Sequence, residues 1–242
     1  MKEKIIYEIT DTKKLLRAVP SLSIVMFCLS VVLMNLMANK EVHTGVSWLA
    51  LDCGLMLSWL SFLCMDVVTK RFGPKAAIKI SLVAVVINLC VCGVLKLVSL
   101  VPGNWAEFYA FENIMANQVL NNTLGGTWYV LFGSTVAMLS ASVVNATVNH
   151  SIGKRLKSDS FKSFAIRSYV STMIAQFIDN MVFSLIVSYH FFGWSIIQCV
   201  TCSITGCLIE LVCEVFVGPI GYTISQQWEK ENVGAEYLKE VR

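Results

Sequence analysis

Residues 70–100 read K-R-F-G-P-K-A-A-I-K-I-S-L-V-A-V-V-I-N-L-C-V-C-G-V-L-K-L-V-S-L. Lys70, Arg71, Lys75 and Lys79 crowd the start, and the stretch after them carries only Lys96. A run of roughly 20 mostly apolar residues is long enough to cross the hydrocarbon core of a bilayer. A basic lead followed by such a run is also how a cytoplasmic loop enters a membrane helix. The pattern recurs along the chain. Of 19 Lys and Arg residues, 17 fall in four stretches: the N-terminus to Arg17, Lys70–Lys79, Lys154–Arg167 and the C-terminal tail. Long apolar runs separate them, which predicts a polytopic protein with both termini cytoplasmic.

Bulk properties agree. The 242 residues are 56% hydrophobic and 14% charged, with a mean hydropathy of +0.66, too apolar for a soluble domain of this size. A net charge of +3 sits in the cytoplasmic loops and gives no nucleic-acid surface. Most of the nine Cys lie in apolar runs, where they act as small hydrophobes. Cys199-x-x-Cys202 lacks a second pair or a His at ligand spacing, so no metal site and no cofactor is expected. The first apolar run lacks an A-x-A-like cleavage site and is read as a retained helix.

Six spans are expected, all helical because open strands leave backbone groups unpaired in lipid. They run over about Pro20–Asn39, Trp48–Val68, Ala76–Leu100, Thr127–His150, Lys162–His190 and Trp194–Ser225. The whole is one polytopic domain: residues 1–19 as a cytoplasmic N-terminus, 20–225 as the six-helix core and 226–242 as a cytoplasmic tail. The longest outer loop, Val101–Gly126, has no Lys or Arg and carries Trp105, Phe108, Tyr109 and Phe111 at helix-like spacing. It reads either as a lid over a central site or as an interfacial aromatic element.

Polar groups inside lipid need a partner or a wet cavity, so they point to a site. They are Asn35 on the first helix, Asp52, Trp59 and Asp66 on the second, and Arg167, Gln176, Asp179 and Asn180 on the fifth. On the sixth, Glu210 and Glu214 stand four residues apart on one face. Asn35, Trp59, Gln176, Asp179, Asn180, Glu210 and Glu214 form the candidate substrate-binding set. Asp66 and Arg167 form a candidate inner ion pair with a structural or gating role. No catalytic residue is expected: G-x-S-x-G, H-E-x-x-H and the phosphate-binding G-x-x-x-x-G-K-[ST] are all missing, and His43, His150 and His190 have no nucleophile beside them in sequence.

Four stretches carry a family resemblance. M-D-V-V-T-K-R-F-G-P-K-A-A (Met65–Ala77) resembles the signature closing the second helix of the queuosine precursor transporters, also called vitamin uptake transporters. Asn35 with Lys40, Ile166–Phe183 (Arg…Ser…Gln-x-x-Asp-x-x-x-Phe) and Leu211–Tyr222 (Glu…Pro…Tyr) follow in the family's order. Lys70 and Glu210 depart from it, standing where the family often has an acidic residue and a Lys. The resemblance implies a six-helix, energy-coupling-factor S-component-like bundle in the cell (inner) membrane, importing 7-deazaguanine bases for tRNA modification. The partners it implies are a nucleobase-like small molecule and the lipid bilayer, with self-association left open. A vitamin-binding S-component of an ATP-driven system is the alternative within transport, and an intramembrane lipid-modifying enzyme is the alternative from another class.

Overall fold

Apolar runs fold as helices in lipid because the helix satisfies every backbone N–H and C=O internally. A computed structural model of the chain describes residues 2–103, 105, 114–155 and 161–241. Its helices are α1 (Lys2–Ala18), α2 (Ser21–Met37), α3 (Leu55–Phe72), α4 (Pro74–Leu100), α5 (Ile114–Gly126), α6 (Trp128–Arg155), α7 (Phe161–Phe183), α8 (Tyr189–Phe191), α9 (Ile196–Lys230) and α10 (Ala235–Val241). A two-stranded antiparallel hairpin, β1 (Glu41–Val42) and β2 (Leu51–Asp52), pairs Glu41 with Asp52 and Val42 with Leu51. A π-helical turn over Ser184–Ser188 separates α7 from α8.

Among the described residues four helices are long and apolar enough to cross a membrane: Pro74–Leu100, Met115–Asn145, Tyr169–Phe191 and Ile196–Val217. Together α1 and α2, bent by 110°, pass the same test as one broken span or re-entrant loop, which raises the number to five. Large apolar side chains point outward along these helices, such as Leu82, Val86 and Leu89 on α4 and Ile204, Leu208 and Val215 on α9. In water such stripes would aggregate, whereas in lipid they are the solvated face. The chain is an all-α membrane protein.

The expected second span is where the sequence reading needs correction. Its helix begins at Leu55, not Trp48, and the residues before it build the hairpin. Asp66, Lys70 and Arg71 crowd the end of α3 and leave it short of an apolar span. Asp52, read from sequence as a helix residue, lies on β2.

Two compact units emerge. The first comprises residues 1–34, 56–91 and 213–242. Its core gathers Leu15, Phe27, Val67, Phe72, Ile80 and Trp228, with the Phe72 ring 6.2 Å from Trp228 and 6.3 Å from Tyr237. At Gly73 (φ +89°) the chain leaves α3 in a conformation that only glycine adopts without strain, and Pro74 then opens α4. Around this turn the charges meet. Lys79 pairs with Asp11, and with Glu8 at 2.8 Å. The Tyr237 hydroxyl donates to Asp11 at 3.3 Å. Lys14 pairs with Glu240, and Arg71 Nε donates to the Val233 carbonyl at 3.0 Å. Lys70 lies 3.5 Å above the Tyr222 ring, so the two motif stretches Met65–Ala77 and Leu211–Tyr222 touch.

The second unit comprises residues 35–55 and 92–212. Here α6 packs along α7. At Gly133 an added Cβ would stand 2.3 Å from Val187 Cγ2 in the π-helical turn, so glycine permits this close approach. Tyr129 stacks on Phe191 (4.3 Å, 14°) and its hydroxyl donates to Asn39 Oδ1 at 3.0 Å. In the loop read as a lid or an interfacial aromatic element, residues 114–126 are helical and Trp105 donates to Asn117 and Asn121. Phe108, Tyr109 and Phe111 lie outside the described residues.

Candidate functional site

Helix α7 carries Gln176, Asp179 and Asn180 within five residues, at spacings that place all three on neighbouring faces of one turn. Opposite, α9 brings Glu210. Asn180 Nδ2 donates to Glu210 Oε2 at 3.2 Å, a side-chain bond between the two helices. Glu210 is only 4% exposed. Gly206, one turn before it, makes room for this contact: a Cβ there would meet Asn180 Nδ2 at 3.0 Å and Leu55 Cδ2 at 3.2 Å. One turn earlier on α7, Cys207 Sγ donates to the Met173 carbonyl at 3.2 Å.

Gln176 is 2% exposed, and neither its Oε1 nor its Nε2 has a hydrogen-bond partner among the described residues. Asn35, near the end of α2, is equally buried, and its Nδ2 has no hydrogen-bond partner among the described residues. Asp179 is half-buried and makes no ion pair among the described residues. Polar groups left this way are costly, and a concentration of them in an apolar helical unit is how binding sites are built.

The hairpin seats against the same unit. Thr201 Oγ1 donates to the Trp48 carbonyl at 2.7 Å and Gln198 Nε2 to the Ser47 carbonyl at 3.2 Å. Ala50 packs with Trp194, Cys199 and Cys202 in a small core. Asp52 Oδ1 accepts from the Gly54 N–H at 2.7 Å, an Asx-type turn that leads into α3. Burial pushes the Asp52 carboxyl up to about 6, against the pull of the Gly54 and Leu55 N–H groups. Ala50 packs against Cys202, two turns before Glu210 on α9, so the hairpin lies along the helix that carries Glu210. Leu55, close to Gly206, says the same.

Of the residues singled out from sequence, the second unit therefore holds Asn35, Gln176, Asp179, Asn180 and Glu210, and joins Asn180 to Glu210 directly. The first unit holds Trp59, half-buried with its Nε1 donating to the Met56 carbonyl at 3.0 Å, and Asp66, which is exposed. The side chains of Glu214 and Arg167 lie outside the described residues, and with them the expected Asp66–Arg167 pair. Sequence reasoning placed Asp52 on the wrong element and passed over Gly206 and Asn88. Asn88, in the first unit, is 1% exposed, and its Nδ2 has no hydrogen-bond partner among the described residues. An Asn in the middle of an apolar run was the signal that could have found it. A cleft of about 590 Å³ between α1 and α10 contains none of these residues, and its Lys14–Glu240 pair balances its own charge.

Apolar helices of spanning length that bury amides and a carboxylate define a polytopic membrane protein. Residues 52–224 match the family described as "putative vitamin uptake transporter", and the chain belongs to that family. No curated protein and no solved structure matches the chain.

Proposed function

We propose that this vitamin uptake transporter imports queuosine precursors, 7-deazaguanine bases such as queuine or its nitrile and aminomethyl precursors, across the cell (inner) membrane for tRNA modification. The observation that carries this reading is the α7–α9 cluster, in which the Asn180–Glu210 bond and the unpartnered Gln176 stand together inside an apolar unit. A guanine-like base offers an exocyclic NH₂ donor that suits a carboxylate, and an adjacent ring N–H and carbonyl that suit an amide. Asp179 and Glu210 supply carboxylates, and Asn35, Gln176 and Asn180 supply amides. The protein binds and moves its substrate without covalent chemistry.

The six crossings and the cytoplasmic placement of both termini belong to the same reading. The ion pairs Lys79–Asp11 and Lys14–Glu240, with the Tyr237–Asp11 bond, draw α1, the α3–α4 turn and α10 to one place. Helices meeting there leave the membrane on one side, which supports an even number of crossings, and the basic stretches put that side in the cytoplasm. The functional test is uptake of radiolabelled queuine into proteoliposomes. Saturable uptake lost on Asp179→Asn combined with Glu210→Gln supports the reading; saturable uptake that survives both substitutions removes the site, and no uptake removes the substrate.

A further inference from the structure

Gln176 sits between two cross-helix contacts. Positions 173, 176 and 180 of α7 share a face, and two of them already tie α7 to α9: the Met173 carbonyl accepts from Cys207, and Asn180 donates to Glu210. Those bonds do what buried polar groups ordinarily do between membrane helices. Gln176 lies between them on the same seam, 2% exposed, with donor and acceptor ends both unpartnered among the described residues. A Gln serving as helix glue would have taken one of the groups beside it. An amide that keeps a donor and an acceptor side by side, desolvated and unspent, is complementary to a ligand edge that carries the same pair in reverse.

We propose that Gln176 is the edge-reading residue of the site. Its amide makes two parallel hydrogen bonds to a planar ligand with an adjacent ring N–H and C=O, the lactam edge of oxo-purine-like bases. The chain keeps this amide at a cost in stability. The inference rests on the α7–α9 seam being the substrate site, but it does not depend on which lactam-bearing vitamin or base is carried.

The test uses the full chain purified in detergent and measures two quantities, the ligand-free melting temperature and the affinity for 7-deazaguanine. Gln176→Met keeps the unbranched shape and removes both polar ends. The expected result is a ligand-free melting temperature at or above that of the unsubstituted chain, with affinity at least tenfold weaker, about 1.4 kcal/mol. A 7-deazaguanine methylated at the ring N–H should bind the unsubstituted chain at least tenfold more weakly than the parent base, and Gln176→Met should erase that difference. A lower melting temperature would overturn the inference by making Gln176 a structural tie, and an unchanged affinity would overturn it directly. Riboflavin, which carries the same type of edge, separates the two proposals: binding of riboflavin but not 7-deazaguanine, with the same loss in Gln176→Met, supports the inference and overturns the queuosine-precursor reading. Should neither ligand bind, that reading falls, and the ligand-free melt still decides on Gln176: a fall overturns the inference, and a melt at or above that of the unsubstituted chain supports it.

Discussion

Replacing Asp52 by Asn should weaken the dependence of stability on pH below neutrality. Asp52 is 8% exposed on β2, with its Oδ1 bonded to the Gly54 N–H, and burial raises its carboxyl from 3.8 to about 6. Between those values the native state binds more protons than the unfolded chain. The ionised form therefore destabilises the fold at neutral pH, and stability recovers as pH falls through 6. A displacement of about 2 units at about 1.4 kcal/mol each comes to about 3 kcal/mol. Roughly half of it is relieved by pH 5, and the rest below the unfolded value. Asn keeps an acceptor for Gly54 and carries no charge. Melting temperatures of both proteins at pH 7.5 and 5.0, at one scan rate because membrane proteins often melt irreversibly, give a difference of differences in which the other titrating groups cancel. The Asn variant should melt higher at pH 7.5, and the gap should close by roughly 3–6 °C at pH 5.0. Parallel pH profiles would refute the reasoning and show that the Asp52 carboxyl is hydrated.

Two further outcomes follow from packing and pairing. Lys79→Met strands Asp11, whose side chain is 14% exposed, beside the Tyr237 hydroxyl; it should cost about 1–3 kcal/mol, and adding Asp11→Asn should recover part of the lost melting temperature. Gly133→Ala drives a methyl group towards Val187 Cγ2, where the gap is 2.3 Å, and should cost about 1–3 kcal/mol; Val187→Ala in the same chain should restore part of it, and a melting temperature unmoved by Gly133→Ala would contradict the packing described at the π-helical turn.

Some of this architecture can be read from the sequence because it is local. The run after Lys79 is apolar enough to fix α4, and the Gly73–Pro74 pair marks the turn before it. The hairpin escaped for a physical reason. Only Asp52, Cys53 and Gly54 separate Trp48–Leu51 from the apolar α3, too short an interruption to divide the run, and two-residue strands carry no alternation to detect. Asp52 was consequently assigned to a helix. At the site, the polar residues of α7 and α9 stand out from their apolar surroundings in the sequence, but helical spacing relates Glu210 only to Glu214, one turn further on. The structure joins Glu210 to Asn180, thirty residues away, a contact that no helical spacing encodes. The pairing of Lys79 with Glu8 and Asp11 is equally non-local: the acidic residues of α1 read as part of a mixed amphipathic lead until α4 is seen beside them. The glycines at 133 and 206 could not be interpreted from sequence, since their role lies in what approaches them.

The most direct test of the central claim is thermal stabilisation of the purified chain by queuine, its nitrile and aminomethyl precursors, guanine, riboflavin and thiamine. A ligand present at a hundred times its dissociation constant stabilises the folded state by about 2.7 kcal/mol, enough to move the melting temperature by several degrees. The account predicts a shift with the 7-deazaguanines and none with thiamine. A shift with thiamine alone, or with no member of the panel, would contradict it.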